Sequence, residues 1–466
     1  MRGDGSGRRR AAPARARAPA CATRRVHASA RARAALLART LVAAALVACS
    51  APRPDVVLVT FDTLRRDHVG AYAGAAPEAS LTPALDALAA RGRVFEGALT
   101  TMPTTSPAHA SIFTGLHPRD HGVLRNGDRV PEALAERSLP ARLRAAGYRA
   151  GAFVTSDVFG AAIGLQGFEP FDDEGTPIRP GADAVAAALR WLDESGDGPL
   201  FLWVHLYDPH APYGPGAQKA AHYPVDLERY GWVDPRHYRS PDARRAMEAL
   251  YAQGVREADA ALGRLLDGLA ARGRTPYVIA TADHGEFMAE HLDALRFAYG
   301  HGSLLGPEVL DVPLVVAGPG LAPARVAGAA SLVDVYATVL ELAGIGDPRA
   351  AAEGRLDLRR DPPPGRVVTA ARRSFTPEDR AKKRIGAAAE RAIRSRAVAA
   401  SDGLVLFVVG EDGAPADGAA RAPELARAAS QALAAQRAGE SARAPTQLAP
   451  EVRERLEALG YVEEGP

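Results

Sequence analysis

The stretch Asp55-Val56-Val57-Leu58-Val59-Thr60-Phe61-Asp62 decides how this chain folds. Its short, β-branched apolar run reads as a strand buried on both faces of a parallel sheet. The run ends in a carboxylate. Ligands of open α/β sheets lie beyond the C-terminal ends of the strands, so Asp62 is placed to reach a metal. By position alone, an aspartate that caps the following helix is an equally good reading.

Working outward, further strands are predicted over residues 93–99, 151–155, 200–206, 275–280 and 311–317. Helices are predicted over 82–88, 139–146, 182–193, 242–272 and 333–344, two of them opened by a hydroxyl residue followed by proline (Thr82-Pro83, Ser240-Pro241). This alternation predicts an α/β fold: a mostly parallel central sheet with helices on both faces. Residues 214–239, rich in Pro, Gly, Tyr and His, read as a loop or lid over the site. After residue 346 the texture changes, and residues 346–466 read as a small C-terminal region. There 347–390 carry little core, 393–409 supply one or two strands, 414–446 form a loose helix or linker, and 450–462 form a short helix.

Charge is unevenly spread over the 466 residues. Eleven of the 57 basic residues and one of the 55 acidic residues precede Cys49, so the rest carries 46 against 54, a net −8. That mildly acidic body gives no electrostatic case for nucleic acid. Residues 1–48 read as a disordered basic leader and a signal peptide, with a short apolar run at 40–48. The ending Leu46-Val47-Ala48-Cys49 resembles a bacterial lipobox. That implies export and a lipid on Cys49 anchoring the protein to a membrane, on the periplasmic or outer-membrane side. The only other cysteine is Cys21, so the body has no disulfide framework and no thiolate metal site.

The chemistry gathers around Thr104-Thr105-Ser106-Pro107-Ala108-His109-Ala110-Ser111-Ile112-Phe113-Thr114-Gly115. Hydroxyls at a helix start meet exposed amides and the positive end of the helix dipole, which favour the oxyanions of a phosphate or sulfate ester. Other predicted strands end near His210 and at Asp283-His284. Carboxylates with an imidazole suit Zn²⁺ or Mn²⁺ better than Ca²⁺. A divalent metal, as one ion or two, would activate a hydroxyl nucleophile and polarise the ester. His210 and His301 (in Tyr299-Gly300-His301-Gly302) would contact the oxyanion or protonate the leaving group.

Taken together, residues 57–62, Thr105-x-Pro107-x-His109-Ala110-Ser111-x-x-Thr114-Gly115, His121-Gly122-Val123, residues 205–212, Asp283-His284-Gly285-Glu286 and Val312-Pro313-Leu314-Val315 resemble the sulfatase branch of the alkaline phosphatase superfamily. The resemblance covers about residues 54–345 in collinear order. It implies a mixed central sheet with helices on both sides, a catalytic domain over 54–345 and a small C-terminal subdomain. Sulfatases carry Cys or Ser, then x-Pro-x-Arg, and convert the Cys or Ser to formylglycine. Here Thr105 and His109 hold those places, and threonine cannot become the same aldehyde. The resemblance therefore shifts toward relatives with a threonine nucleophile. It implies Asp62, Thr105, Asp283 and His284 as metal ligands and Thr105 as the covalent nucleophile. It also implies His210 and His301 as substrate-binding or acid residues, with Asn126 and Thr155 as polar substrate contacts. For His109 a catalytic role and a packing role at the helix start stand level.

The expected activity is metal-dependent hydrolysis of phosphate or sulfate esters or diesters. The expected partner is an anionic ester substrate, a glycan or a lipid. Transfer of the group to an acceptor by the same site is one alternative; a non-catalytic lipoprotein that binds glycans is another.

Overall fold

A computed structural model describes residues 53–441, apart from 75, 160–162, 174–177, 195, 197, 215–239, 296–297, 376–395 and 411–421. The expected leader, the Cys49 expected to carry a lipid, nearly all of the expected lid and the expected helix at 450–462 lie outside the described residues.

The chain opens with β1 (Val56–Phe61), followed by α1 (Pro83–Ala90), β2 (Arg93–Leu99) and α2 (Thr105–Thr114). Next come α3 (Leu139–Ala145), β3 (Arg149–Val154), β4 (Phe171–Asp172), α4 (Gly181–Asp193) and β5 (Leu200–Leu206). The long helix α5 (Pro241–Ala271) leads to β6 (Tyr277–Ala282), β7 (Leu314–Ala317), β8 (Ala324–Ser331) and α6 (Val333–Leu342). These strands form one eight-stranded sheet in the order β4-β3-β5-β1-β6-β7-β2-β8. All neighbours are parallel except β7, which runs antiparallel to both β6 and β2. The fold is thus α/β with a mostly parallel central sheet. Helix α5 packs against both α1 and α4, while α2, α3 and α6 pack on one another as a second group.

β1 lies at the centre, and every one of its residues is buried. Its apolar residues run without alternation, as burial on both faces demands, and its one polar side chain, Thr60, is hydrogen-bonded. Register sets the neighbours at its C-terminal end: Thr60 pairs with His205 of β5 and Thr281 of β6, and Phe61 with Leu206 and Ala282. Two further bonds extend these ladders, from the Asp62 N–H to the Leu206 C=O (2.9 Å) and from the Asp283 N–H to the Phe61 C=O (3.1 Å). Asp62 and Asp283 therefore leave the sheet side by side.

A second sheet is antiparallel, in the order β11-β10-β9, from β9 (Val368–Arg372), β10 (Ala397–Ser401) and β11 (Leu406–Gly410). Helix α7 (Pro423–Ser441) covers it, with Leu425, Ala429 and Leu433 against Val398, Ala400 and Phe407. A separate apolar cluster joins Val368, Ala370 and Ala399 to Leu99, Val309, Leu310 and Ala329. The expectation of little core over 347–390 is corrected by β9, whose Val368 and Ala370 are buried. The expected strand at 311–317 begins later, at Leu314, because residues 307–310 form a helical turn and Asp311 and Pro313 stand outside the ladder with β6.

Candidate active site

Helix α2 follows β2 and is buried along its whole length. Thr104 caps it in extended conformation without a side-chain bond of its own. The amide of Ser106 is satisfied from elsewhere, by Asn126 Oδ1 at 2.9 Å. The helix stops at Gly115 (φ +66°), where a Cβ would come within 2.6 Å of the Tyr336 ring. Below it, the His121 Nε2–H donates to the Ser111 hydroxyl (3.0 Å), which donates to the Pro107 C=O (3.1 Å). The His121-Gly122-Val123 segment thus braces the helix that carries Thr105.

Three ligand-type side chains converge on the start of α2. Ligand atoms of Asp62, Asp283 and His284, all fully buried, lie within 4.8 Å of one another. Thr105 Oγ1 is 3.5 Å from Asp62 Oδ2 and 3.4 Å from His284 Nε2. His284 Nε2 is 3.6 Å from Asp283 Oδ2 and 4.0 Å from Asp62 Oδ1.

This donor set fits a divalent cation. The His284 Nδ1–H donates to the Gly285 C=O at 2.9 Å, which fixes the tautomer and turns Nε2 into the lone-pair nitrogen facing the carboxylates. Asp283 Oδ1 accepts the amides of His284 (2.7 Å) and Thr63 (3.2 Å), while Oδ2 is buried with no hydrogen bond. Burial and the neighbouring Asp62 carboxylate push the Asp283 carboxyl well above the usual aspartate range. Burial, with His301 nearby, lowers His284 to about 3, so its ring is neutral at physiological pH, as a metal ligand must be. A cation here would relieve the repulsion that the two buried carboxylates otherwise carry.

The backbone is strained at the same point. Thr63 holds φ at +55°, a left-handed conformation that costs a β-branched residue. The Tyr251 hydroxyl holds it there, donating to the Thr63 C=O (2.8 Å) and accepting the Arg65 N–H (2.9 Å). Glycine is required between His284 and Glu286, since a Cβ on Gly285 would lie 2.0 Å from the Glu308 carbonyl oxygen.

The remaining expected residues divide into two groups. His301 joins the site, its ring 4.4 Å from that of His284 and 5.1 Å from that of His210. His210 stacks on Tyr207 at 4.1 Å and bonds the Ala211 C=O through Nδ1. Asn126 Nδ2 and Ser106 Oγ are buried at the mouth of α2 with no hydrogen-bond partner among the described residues. Thr155 and His109, by contrast, are already engaged. The Thr155 hydroxyl donates to the His205 C=O (3.0 Å) and accepts the Tyr207 N–H (2.6 Å), tying β3 to β5. The His109 Nδ1–H donates to the Thr105 C=O (2.9 Å), and Nε2 meets the Thr60 hydroxyl (3.0 Å). Burial, with His205 nearby, holds His109 well below the ordinary histidine range.

The sequence reading did not single out Thr60, His205 or Glu286 as site residues. Thr60 gathers His109, His205 Nδ1 (2.9 Å) and the Trp203 indole N–H (2.9 Å) beneath the site. His205 Nε2 lies 3.3 Å from Asp62 Oδ2. Glu286 Oε1 lies 3.1 Å from His301 Nδ1. For Glu286 the available signal was its place in Asp283-His284-Gly285-Glu286. The others meet only through strand register.

The chain is similar in sequence and in fold to known proteins. Residues 54–345 match the Sulfatase family. The chain is similar to human N-sulphoglucosamine sulphohydrolase, 27% identical over 328 residues, covering 62% of each chain. It is also similar to the Delta 4,5-hexuronate-2-O-sulfatase of Bacteroides thetaiotaomicron, 25% identical over 64% of this chain and 70% of that one. Among solved structures, the phosphonate monoester hydrolase of Agrobacterium radiobacter superposes with a TM-score of 0.59 at 20% identity, covering 83% of this chain and 96% of that one. The match thus spans less than two thirds of the human relative's length. On a family match over most of its length and a shared fold, the chain belongs to the sulfatase family of the alkaline phosphatase superfamily.

Proposed function

We propose that this protein is a metal-dependent hydrolase of phosphate or sulfate esters, with Thr105 as its covalent nucleophile. The observation that carries this reading is the position of Thr105 Oγ1. It stands at the first turn of a buried helix, 3.4–3.5 Å from the imidazole and one carboxylate of a ligand cluster. Asp62, Asp283, His284 and Thr105 would hold the metal, Zn²⁺ or Mn²⁺ by donor type. When bound, that ion supplies Lewis acidity and lowers the hydroxyl's pKa.

The protein's own groups account for the rest. The positive end of the α2 dipole favours the ester's oxyanions. Since the Ser106 and Ala108 amides are already taken by Asn126 Oδ1 and the Thr104 C=O, the side-chain donors there are Ser106 Oγ and Asn126 Nδ2. Thr105 Oγ1 attacks phosphorus or sulfur, the ester oxygen leaves, and water later releases the group from Thr105. His301, with His210 beside it, protonates the departing oxygen. His109, with both ring nitrogens engaged, holds the first turn of α2 and so orients Thr105. Sulfated sugars are supported as substrates by the names of the relatives, which include a sulphoglucosamine sulphohydrolase and a hexuronate 2-O-sulfatase.

The test is turnover of aryl phosphate, phosphodiester, phosphonate and sulfate esters by purified protein with Mn²⁺ or Zn²⁺. Turnover of at least one ester that Thr105→Ala abolishes is expected. No turnover of any, with metal shown bound, would reject hydrolysis. We further propose export and anchoring by a lipid on Cys49, resting on the Leu46-Val47-Ala48-Cys49 sequence. Metabolic labelling with a fatty acid should mark the wild type and not Cys49→Ala. Among the described residues, no helix is long and apolar enough to cross a membrane.

A further inference from the structure

We infer that Glu286 is a positioning residue that orients His301 for proton delivery to the leaving group, an inference that rests on the hydrolase reading above. Glu286 is 1% exposed, yet the metal cluster does not include it. Its Oε1 meets His301 Nδ1 at 3.1 Å. A buried carboxylate on one nitrogen of a histidine fixes the plane of the ring and the identity of the opposite nitrogen. Any proton that His301 delivers must then leave from Nε2.

The chain is shaped to make this contact. Glu286 and His301 are fifteen positions apart in the chain. A short antiparallel bridge closes the gap, with the Phe287 N–H donating to the Gly300 C=O (3.0 Å) and the Gly300 N–H to the Phe287 C=O (3.2 Å). The Tyr299 N–H adds a bond to the Met288 C=O (2.9 Å). Tyr299 at φ +54° and Gly302 at φ +74° turn the backbone on either side of His301. Gly302 also sits tightly under the start of α2, where a Cβ would lie 3.2 Å from Thr104 Oγ1. On the other side, Arg65 holds the Glu286 segment, donating to the Glu286 C=O (3.2 Å) and pairing with Glu290. The ring of His301 is thus held between Glu286 and the cluster, 4.4 Å from the ring of His284.

In the step this serves, the bond from phosphorus or sulfur to the ester oxygen breaks. The electron pair stays on that oxygen, and the proton on His301 Nε2 moves to it. An alkyl alcohol needs that proton. A nitrophenolate leaves without it. Leaving-group dependence therefore separates proton delivery from general structural damage.

The experiment compares the wild type with Glu286→Gln and Glu286→Ala on a p-nitrophenyl ester and an alkyl ester of the same acid. Both variants should lose about tenfold or more in kcat on the alkyl ester relative to the p-nitrophenyl ester, within the usual range for one general acid. Metal content should be unchanged. On the alkyl ester, the double variant Glu286→Gln/His301→Gln should be no slower than His301→Gln alone, as expected for residues acting as one unit. Equal losses on both esters, or additive losses in the double variant, would overturn the proposal. A second arm needs no turnover: NMR of labelled histidine ring nitrogens should show the His301 Nδ1 signal moving in Glu286→Gln, and an unmoved signal would overturn the orientation. If the wild type hydrolyses no ester, the hydrolase reading fails, and the NMR arm still decides whether Glu286 orients His301.

Discussion

Thr105 differs from a serine in the same place by one methyl group and from an alanine by the reacting atom itself. Thr105→Ser should therefore keep turnover within about tenfold, whereas Thr105→Ala should lose about 10³-fold or more in kcat, the scale seen when a nucleophile is removed. Steady-state kinetics on the best ester checks both. Asp283 needs a paired control, because Oδ1 also accepts two amides whose loss costs about 1–3 kcal/mol. Asp283→Asn keeps an acceptor for those amides and should still lower bound metal, measured by elemental analysis. Unchanged stoichiometry would remove Asp283 from the ligand set. At this scale the sequence was informative wherever a residue ended an apolar strand. Asp62, Asp283 and His284 do so, and the structure brings them together with Thr105. It was silent on Thr60 and His205, which meet because β1 and β5 pair in that register, and register is a property of two strands at once.

At the scale of elements, α1 shows how one helix completes another. Thr82 gives α1 no side-chain cap. Asp259 of α5 does so instead, accepting the amides of Ala84 and Leu85 at 2.9 Å each. Asp259→Ala should cost about 1–3 kcal/mol by leaving both amides without an acceptor. Burial raises the Asp259 carboxyl from 3.8 to about 6, with the α1 amides opposing. Between those values the folded protein binds more protons at this site than the unfolded chain. Asp259's own contribution to stability therefore falls as pH rises from 3.8 to about 6. Urea unfolding across that window should show the slope in the wild type and lose it in Asp259→Asn. Element boundaries were legible where periodicity was long: α5 was expected to end at 272 and ends at Ala271. β8 and β9 were missed because Ala324–Ser331 and Val368–Arg372 are alanine-rich and carry arginine, a composition that does not announce a strand.

Over the whole molecule, the ligands leave β1, β6 and the start of α2, segments more than two hundred residues apart at the extremes. A bound cation ties them together in the folded state only. Stability should rise by RT ln(1 + [metal]/Kd), about 2.7 kcal/mol at a hundredfold excess over Kd. A chelator should reverse the gain, and Asp283→Ala should not show it. Calorimetric Tm at several metal concentrations checks this. The α/β class was legible because strand and helix periods alternate along the chain. The small antiparallel sheet was only half legible, since β9 and β10 meet across residues that carry no common pattern. The central claim is that Thr105 takes the group from the ester onto its own oxygen. Acid-quenching the metal-loaded protein during turnover and mapping its peptides by mass spectrometry tests this most directly. The expected result is one phosphoryl or sulfuryl group on Thr105, absent in Thr105→Ala. Turnover with that group on another residue, or undiminished turnover by Thr105→Ala, would contradict a threonine nucleophile.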